Sequence, residues 1–458
     1  MDTKIEKLKN KKVLIVGMGK SGIAATQAML KLGAKVTIQD SMEKEKADVQ
    51  LLNFLKGKDV TCHFHEKPQE TENFDMIILS PGVSPEVDFV QSEAKKGAEI
   101  VGELEIAYRV GNGHFVAITG TNGKTTTTTL VGRIFKAAKR WTYVVGNIGV
   151  AVISKALEST EKDWLITETS SFQLETIKEF KPEVSAILNL TPDHLNRHHT
   201  MEAYGAAKAR VFENQDASNY CIVNYDDKKC FDLTKNCPAH VIPFSIKEEL
   251  DEGAFLKDGV LYIKEKDKER IPLCHRDELH IIGDHNVENA LAAAAISFFA
   301  GIEPDTIAQT LKEFGGVEHR IEFVSEINGV KYYNDSKGTN VDATIIALNA
   351  IKQNIILIAG GDGKGQSFDQ LIASFNGRVK HMILLGRDGK ILAEAADKYG
   401  FKDYSYAKDM EECVRKGFEI GKAGDTVLLS PACASWDMYD NFEQRGDHFK
   451  DCVKRLGQ

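Results

Sequence analysis

Three short apolar segments of the chain each run directly into a glycine-rich loop, and a segment with helical spacing of apolar residues follows each loop. The segments are VLIVGMGKSG at 13–22, FVAITGTNGKTT at 115–126 and IILIAGGDGKG at 355–365. A buried strand that turns through a glycine loop into a helix begins a βαβ unit, and such units build parallel sheets. The pattern therefore predicts an α/β chain with nucleotide-type architecture three times over.

The length of 458 residues fits three domains of about 150 residues each. We predict a Rossmann-like domain at 1–110, a central phosphate-loop ATPase-like α/β domain at 111–316 and a C-terminal Rossmann-like α/β domain at 317–458. A polar break at Gly111–Gly113 precedes a new strand, and GGVEHRIE at 315–322 is the second predicted linker.

Composition and charge narrow the class of protein further. Hydrophobic residues make up 42% of the chain and the net charge is −9, which disfavours nucleic acid or an anionic membrane as the main partner. The eight cysteines form no C-x-x-C pair, so neither structural zinc nor a disulfide framework is predicted. With no signal-peptide pattern and no apolar run of about 18 residues, we expect a cytoplasmic location. We also expect a monomer.

The first glycine loop carries Gly17, Gly19 and Gly22, with Asp40 after the next predicted strand. Glycines let the backbone approach a pyrophosphate, and the acid can bond a ribose or a base. On the residues alone, a nicotinamide dinucleotide site and a tight turn without ligand both stay open.

The second loop, Gly120–Thr126, predicts a triphosphate site. Its amides can cradle phosphates, Lys124 can reach the β- and γ-phosphates, and the Thr125 hydroxyl can ligate Mg²⁺. It is a shortened variant, because Ile118 stands where the usual motif has its first glycine. The third loop lacks a hydroxyl residue after Lys364, so that lysine is read as an anion contact or a turn residue.

Acids and ligands for a metal follow neighbouring strands of the central domain. Glu168 ends one predicted strand and His194 follows another, and magnesium is the natural ion beside a triphosphate. His198 and His199 fit exposed loop residues equally well. Lys208 lies on a predicted helix at 201–213, where the residues alone favour a solvated face.

Two further clusters of polar residues are candidates for ligand binding. Asn286 and Asn289 share one helical face and could read a base, although a helix cap explains Asn286 as well. The second cluster, 333–340, ends a predicted strand. Cys433 is interpreted as a buried hydrophobe, since no His and Asp arrangement surrounds it.

Taken together, these motifs resemble the Mur ligase family of ATP-dependent amide-forming enzymes in peptidoglycan precursor synthesis. The resemblance covers essentially the whole chain, including Asp193–His194, His319–Glu322 and Asp335–Lys337. The closing segments 430–435 and 441–447 are similar to those of members that add D-glutamate to UDP-N-acetylmuramoyl-L-alanine. Asn196, Gly338 and Trp436 depart from residues common in relatives, and Trp436 leaves the shape of the amino-acid pocket open.

The resemblance implies roles residue by residue. The UDP precursor would contact Gly17, Gly19, Gly22, Asp40, Ser80, Gly82, Asn147, Ser170, Gln173 and His194. ATP would contact Gly120, Thr121, Asn122, Gly123, Lys124, Thr125, Thr126, Asn286, Asn289, Arg320, Asp335 and Lys337. D-glutamate would contact Thr339, Lys364, Ser435 and Phe442.

The resemblance also implies the metal and catalytic groups. Thr125, Glu168, His194 and Lys208 would hold two Mg²⁺ ions, with Lys208 carbamylated, and Lys124, Glu168, His194 and Lys208 would be catalytic. The expected reaction passes through an acyl phosphate and releases ADP and phosphate. The alternatives are a family member that adds a different amino acid or uses another acceptor, a phosphate-loop ATPase switch, and a nicotinamide-binding regulator.

Overall fold

The structure is a computed structural model that describes residues 8–44, 49–69, 71–351 and 354–456. It contains two compact units. The first comprises Met1–His275 and Glu288–Leu311, and the second comprises Arg276–Val287 and Lys312–Gln458. Their strands form three sheets, of which the first unit holds two, so the predicted three-domain α/β fold is confirmed.

The first sheet is entirely parallel and has the order β3-β2-β1-β4-β5. Its strands are β1 (Lys12–Val16), β2 (Lys35–Asp40), β3 (Val60–Phe64), β4 (Met76–Leu79) and β5 (Glu99–Gly102). The accompanying helices are α1 (Lys20–Lys31), α2 (Val49–Leu55), α3 (Asp88–Lys95) and α4 (Glu103–Val110). Both faces of β1 are buried, because Val13 and Ile15 belong to one apolar cluster and Leu14 and Val16 to another. This explains why the strand reads as a continuous apolar run.

The second sheet has nine strands in the order β14-β13-β12-β11-β10-β9-β6-β8-β7. The strands are β6 (His114–Thr119), β7 (Trp141–Gly146), β8 (Asp163–Glu168), β9 (Val184–Ile187), β10 (Tyr220–Asn224), β11 (His240–Ser245), β12 (Gly253–Lys257), β13 (Val260–Lys264) and β14 (Ile271–His275). The helices are α5 (Lys124–Ala137), α6 (Val152–Ala156), α7 (Ser171–Leu174), α8 (Leu195–His198), α9 (Met201–Ala209), α10 (Lys228–Asp232), α11 (Asp284–Phe299) and α12 (Pro304–Glu313). Two 3₁₀ turns cover Arg210–Phe212 and Leu233–Asn236, and a third, Arg276–Glu278, lies in the second unit. β13 and β14 pair antiparallel at one edge, whereas the strands from β7 to β12 are parallel.

The third sheet lies in the second unit and has the order β15-β16-β20-β17-β18-β19. Its strands are β15 (Glu322–Ile327), β16 (Val330–Asn334), β17 (Ile355–Gly360), β18 (Val379–Leu385), β19 (Tyr404–Tyr406) and β20 (Thr426–Leu429). Its helices are α13 (Val341–Ala350), α14 (Asp369–Ala373), α15 (Gly389–Lys398), α16 (Met410–Ile420) and α17 (Phe442–Leu456). Only β15 pairs antiparallel within this described sheet. Across the described ranges, no helix is both long and apolar enough to cross a membrane.

Candidate functional site

The order of the second sheet sets which residues meet beside the phosphate loop. β6 lies between β9 and β8, and β7 pairs with the far side of β8. These strands are parallel, so their carboxyl ends share one edge. The loop after β6 therefore lies between Asn189, which follows β9, and Glu168, which ends β8.

The phosphate loop turns directly into α5, which begins at Lys124. Gly123 has φ of 81°, and a Cβ atom there would lie 2.2 Å from the Asn289 Oδ1 atom. Only glycine can adopt this positive φ without strain and also leave room for the Asn289 side chain. The Lys124 ammonium donates to the carbonyl oxygens of Gly120 at 3.0 Å and Thr121 at 2.8 Å. The loop thus holds a cation at the start of a helix, an arrangement suited to a phosphate.

Asn189 organises the loop from the neighbouring strand. Its Oδ1 atom accepts from the backbone N–H of Thr121 at 3.1 Å and of Asn122 at 2.8 Å, and its Nδ2 atom donates to the Asn122 carbonyl at 3.1 Å. Sequence reasoning did not select Asn189 as a site residue. Its position after the strand next to the glycine loop is the feature of the sequence that could have indicated a role in the site.

Glu168 is 1% exposed and has one oxygen without a described partner. Its Oε1 atom accepts from the Asn147 Nδ2 atom at 2.8 Å, while Oε2 is the unpartnered oxygen. Leaving a buried carboxylate oxygen unpaired costs free energy, so this atom fits a cation ligand better than a structural group. Glu168 and Asn147 are thereby brought together as a candidate metal and substrate region.

Lys208 is 1% exposed, so the solvated-face interpretation of this residue is wrong. α9 ends at Ala209 and turns the Lys208 ammonium inward, where it donates to the Gly120 carbonyl at 2.8 Å and lies 4.5 Å from the Tyr204 ring centre. Burial, and then the charge of Lys124, lower the pKa of Lys208 to about 7. A large fraction of this amine is therefore neutral near neutral pH.

The segment after β9 presents His194 beside α7. His194 has φ of 52° and is exposed, and its ring lies 4.8 Å from the Phe172 ring. Ser170 caps α7 and forms a reciprocal capping box with Gln173. His198 is 6% exposed and its Nε2 atom lies 3.0 Å from the Ser171 hydroxyl, so it is not an exposed loop residue, whereas His199 is exposed.

In the loop after β1, one glycine has no room for a side chain and another has free space around it. A Cβ atom on Gly22 would lie 1.8 Å from the Gly17 carbonyl oxygen, whereas a Cβ atom on Gly19 would meet nothing within 4 Å. Gly82 is open in the same sense. Asp40 accepts from the backbone N–H of Met18 at 2.6 Å and of Met42 at 2.8 Å, so this carboxylate also holds the loop.

In the second unit, Asp335 is buried and directly follows β16. Its oxygens accept from the Ser430 hydroxyl at 2.6 Å and the Ile321 N–H at 3.2 Å. Burial raises the pKa of this carboxyl to about 7. The Lys337 ammonium lies 5.8 Å from the Phe442 ring centre, and Asn286 donates to the Ile282 carbonyl at 2.8 Å.

The predicted amino-acid residues also lie in the second unit. Lys364 has φ of 54° and its ammonium lies 4.6 Å from the ring centre of Trp436, which is 65% exposed. Ser435 is buried, and the Phe442 carbonyl accepts from the Ser336 hydroxyl at 2.8 Å. Cys433 is fully buried and its pKa is raised to about 12 by burial, so it is a core residue and not a nucleophile.

Family comparisons match most of the chain. The Mur ligase MurD-like N-terminal domain matches residues 11–102, the Mur ligase middle domain matches 118–297, and the Mur ligase glutamate ligase domain matches 319–433. The chain is 49% identical over 452 residues to UDP-N-acetylmuramoylalanine--D-glutamate ligase of Alkaliphilus oremlandii (strain OhILAs), covering 98% of this chain and 99% of that protein. The protein of the same name from Clostridioides difficile (strain 630) is 47% identical over 451 residues, with coverages of 98% and 99%.

Solved structures show the same fold at lower identity. UDP-N-acetylmuramate-alanine ligase from Thermotoga maritima matches with a TM-score of 0.53 at 17% identity, covering 98% of this chain and 99% of that chain. UDP-N-acetylmuramoylalanyl-D-glutamyl-2,6-diaminopimelate--D-alanyl-D-alanyl ligase from Acinetobacter baumannii matches with a TM-score of 0.53 at 14% identity, covering 85% and 95%.

Proposed function

The chain belongs to the Mur ligase family, and we propose that it joins D-glutamate to UDP-N-acetylmuramoyl-L-alanine with ATP as the energy source. One observation carries the choice of substrates. The relatives that bear this activity in their names are 45% to 49% identical to nearly the whole chain. The phosphate loop, with Lys124 at the start of α5, supplies the matching triphosphate chemistry.

The proposed reaction forms an amide in two steps. A carboxylate oxygen of the precursor attacks the γ-phosphorus, the bond to the bridging oxygen of ADP breaks, and an acyl phosphate results. The amine of D-glutamate then attacks the acyl carbon, the carbon–oxygen bond to phosphate breaks, and the nitrogen loses a proton. The charge that develops on the transferred phosphoryl group would be offset by Lys124 and the amides of the loop.

Magnesium fits the group of residues beside the loop. The unpartnered Oε2 atom of Glu168 is the observation that supports an ion there, and Thr125, His194 and a carbamylated Lys208 would complete the ligands of two ions. When bound, Mg²⁺ would neutralise phosphate oxygens and bring attacking and transferred groups together.

Carbamylation of Lys208 needs a neutral amine, and burial supplies one by lowering the lysine pKa to about 7. The ammonium first loses one proton, carbon dioxide then bonds to the neutral nitrogen, and a second proton leaves, so that a cation becomes an anion. An anion at this position would attract a metal ion, whereas the ammonium repels it.

The remaining substrates are assigned to separate loops. In this proposal the UDP precursor contacts the first-sheet loop, where Gly19 and Gly82 have open space. D-glutamate carries two carboxylates, and in this proposal it contacts Lys364, the Thr339 and Ser435 hydroxyls and Phe442. A monomer, a cytoplasmic location and domain borders at residues 110 and 316 are parts of the same proposal.

One assay tests the assignment. The purified chain receives MgATP and UDP-N-acetylmuramoyl-L-alanine with L-alanine, D-glutamate, L-lysine, diaminopimelate or D-alanyl-D-alanine, and released phosphate and ADP are measured. We expect D-glutamate to be the best acceptor. Release without any amino acid would favour an ATPase switch, and a different best acceptor would overturn the substrate assignment.

A further inference from the structure

The guanidinium group of Arg445 is buried, and no carboxylate among the described residues forms an ion pair with it. Arg445 lies in the first turn of α17 and is 2% exposed. Within the described part of the second unit, no acidic oxygen forms an ion pair with it, although Asp335 and Asp437 are near enough to influence its pKa. Burial lowers that pKa to about 10. A buried charge without a counter-charge is unfavourable unless its hydrogen bonds are well satisfied, so its geometry needs an explanation.

Arg445 donates to two separate loops. Its Nε atom lies 3.0 Å from the Ser336 hydroxyl, and Nη2 lies 2.8 Å from the Ser336 carbonyl oxygen. Both Nη1 and Nη2 lie 3.1 Å from the Cys433 carbonyl oxygen. The Ser336 hydroxyl in turn donates to the Phe442 carbonyl at 2.8 Å. One planar group therefore joins the loop after β16, the loop after β20 and, through Ser336, the start of α17.

These loops hold the residues assigned to two different substrates. Ser336 lies between Asp335 and Lys337, which are assigned to ATP, and Cys433 precedes Ser435, which is assigned to D-glutamate. β16 and β20 are adjacent parallel strands, so both loops leave the same edge of the third sheet. The two loops also meet where their strands end, because the Asp335 N–H donates to the Leu429 carbonyl at 2.7 Å and the Ser430 hydroxyl donates to the Asp335 carboxyl at 2.6 Å. Arg445 adds a second connection farther along both loops, at Ser336 and Cys433.

We propose that Arg445 is a positioning residue that fixes the D-glutamate loop relative to the nucleotide loop, so that one side chain controls the affinity for both substrates. This inference rests on the proposed function. The fixed fork of a guanidinium can donate to both loops at once, whereas the single ammonium of lysine cannot reproduce the four contacts. Displacement of a substrate-binding group by about 1 Å can cost about a hundredfold in rate.

The test compares Arg445→Lys with Arg455→Lys, a matched change at a more exposed position of the same helix. Steady-state kinetics would give KM for ATP, KM for D-glutamate and kcat, and phosphate bursts would count active sites. We expect Arg445→Lys to raise both KM values by about tenfold or more, with a normal count of active sites. Arg455→Lys should leave all three parameters unchanged.

Two results would overturn the inference. The first is that the KM values of Arg445→Lys are unchanged. The second is that its activity falls only in proportion to a smaller number of active sites. If Arg445→Lys does not fold, Ser336→Ala carries the test, because it keeps the charge and removes the bonds to Nε and to the Phe442 carbonyl. It too should raise both KM values. The wild-type chain is assayed first, so failure to use D-glutamate is seen separately as failure of the proposed function.

Discussion

At the scale of single residues, the phosphate loop makes the sharpest prediction. Lys124→Ala removes the loop cation, and Glu168→Ala removes the carboxylate with the unpartnered oxygen. We expect each variant to lose at least about a thousandfold in kcat/KM, because each group acts on charge that develops in the transition state. Phosphate release measures this, and Lys136→Ala, an exposed lysine at the other end of α5, is the control.

Lys208 gives a second residue-scale prediction. Lys208→Ala should be inactive, and a small added carboxylate such as acetate or formate should restore part of the turnover by occupying the place of the carbamate. Chloride at equal ionic strength is the control for salt. A variant that stays inactive at every carboxylate concentration would argue against the carbamate and leave the hydrogen bond to the Gly120 carbonyl and the contact with the Tyr204 ring as the roles of Lys208.

Glu103 gives a prediction about pH. It is 3% exposed, one oxygen accepts from the Ile153 N–H at 2.6 Å, and the other has no described partner. Burial raises its pKa from 4.5 to about 7. The folded chain therefore keeps a proton that the unfolded chain loses first, so the free energy of unfolding falls as pH rises through this window, by about 3 kcal/mol.

Glu103→Gln should remove that loss. Relative to the wild-type chain, the variant should gain stability between pH 5 and pH 8, which urea unfolding at both values would measure. Glu158→Gln, at an exposed position, serves as the control and should follow the wild-type profile. Parallel profiles for Glu103→Gln and the wild-type chain would contradict the raised pKa.

At the scale of elements, α11 restricts which residue can stand at Gly123, in the turn that leads into α5. Gly123 and Gly301, which follows α11, both have φ of 81°, but an added Cβ atom would meet another atom within 4 Å at Gly123 and would meet none at Gly301. Alanine at either position meets the left-handed backbone cost of about 1 kcal/mol. Gly123→Ala should lose additional thermal stability and MgATP affinity, because it displaces Asn289. The double variant with Asn289→Ala should recover part of the thermal stability but not the MgATP affinity, because Asn289 is itself assigned to ATP. No recovery of stability would mean that the backbone alone explains the loss.

The buried parallel strands were predictable because each reads as a short apolar run before a glycine turn. β1, β6 and β17 therefore fall where the sequence pattern puts them. The antiparallel edge formed by β13 and β14 was not predicted, because those strands are partly exposed and mix polar with apolar residues. The helix predicted over 201–213 ends as an α-helix at Ala209 and continues as a 3₁₀ turn.

The site follows the same division. The phosphate loop, Glu168 and Asp335 stand at strand ends and could be selected from position alone. The burial of Lys208 and the contacts of Asn189 depend on neighbours far away in sequence, at Gly120 and Asn122, so local spacing carried no information about them. The sequence marks Arg445 only as part of the closing motif. Its contacts could not be predicted, because its partners Ser336 and Cys433 follow two other strands.

At the scale of the whole molecule, each of the two compact units has described apolar clusters of its own. We expect calorimetry to show more than one unfolding transition, since units with their own cores need not unfold together. MgATP at about a hundred times its Kd should stabilise the unit that carries the phosphate loop by about 2.7 kcal/mol. Lys124→Ala is the control and should lose that shift, and one two-state transition would contradict the prediction.

The glycine loop of the first sheet has a consequence for mutational tolerance. The carbonyl of Gly17 excludes any side chain from Gly22, while Gly19 has ordinary extended backbone and open space around it. In a library of variants sorted for folding, position 22 should accept nothing but glycine and position 19 should accept many residues. If the same library is selected for growth instead of folding, position 19 should also accept few residues other than glycine. The difference between the two selections at that one codon would outline the surface on which a ligand rests.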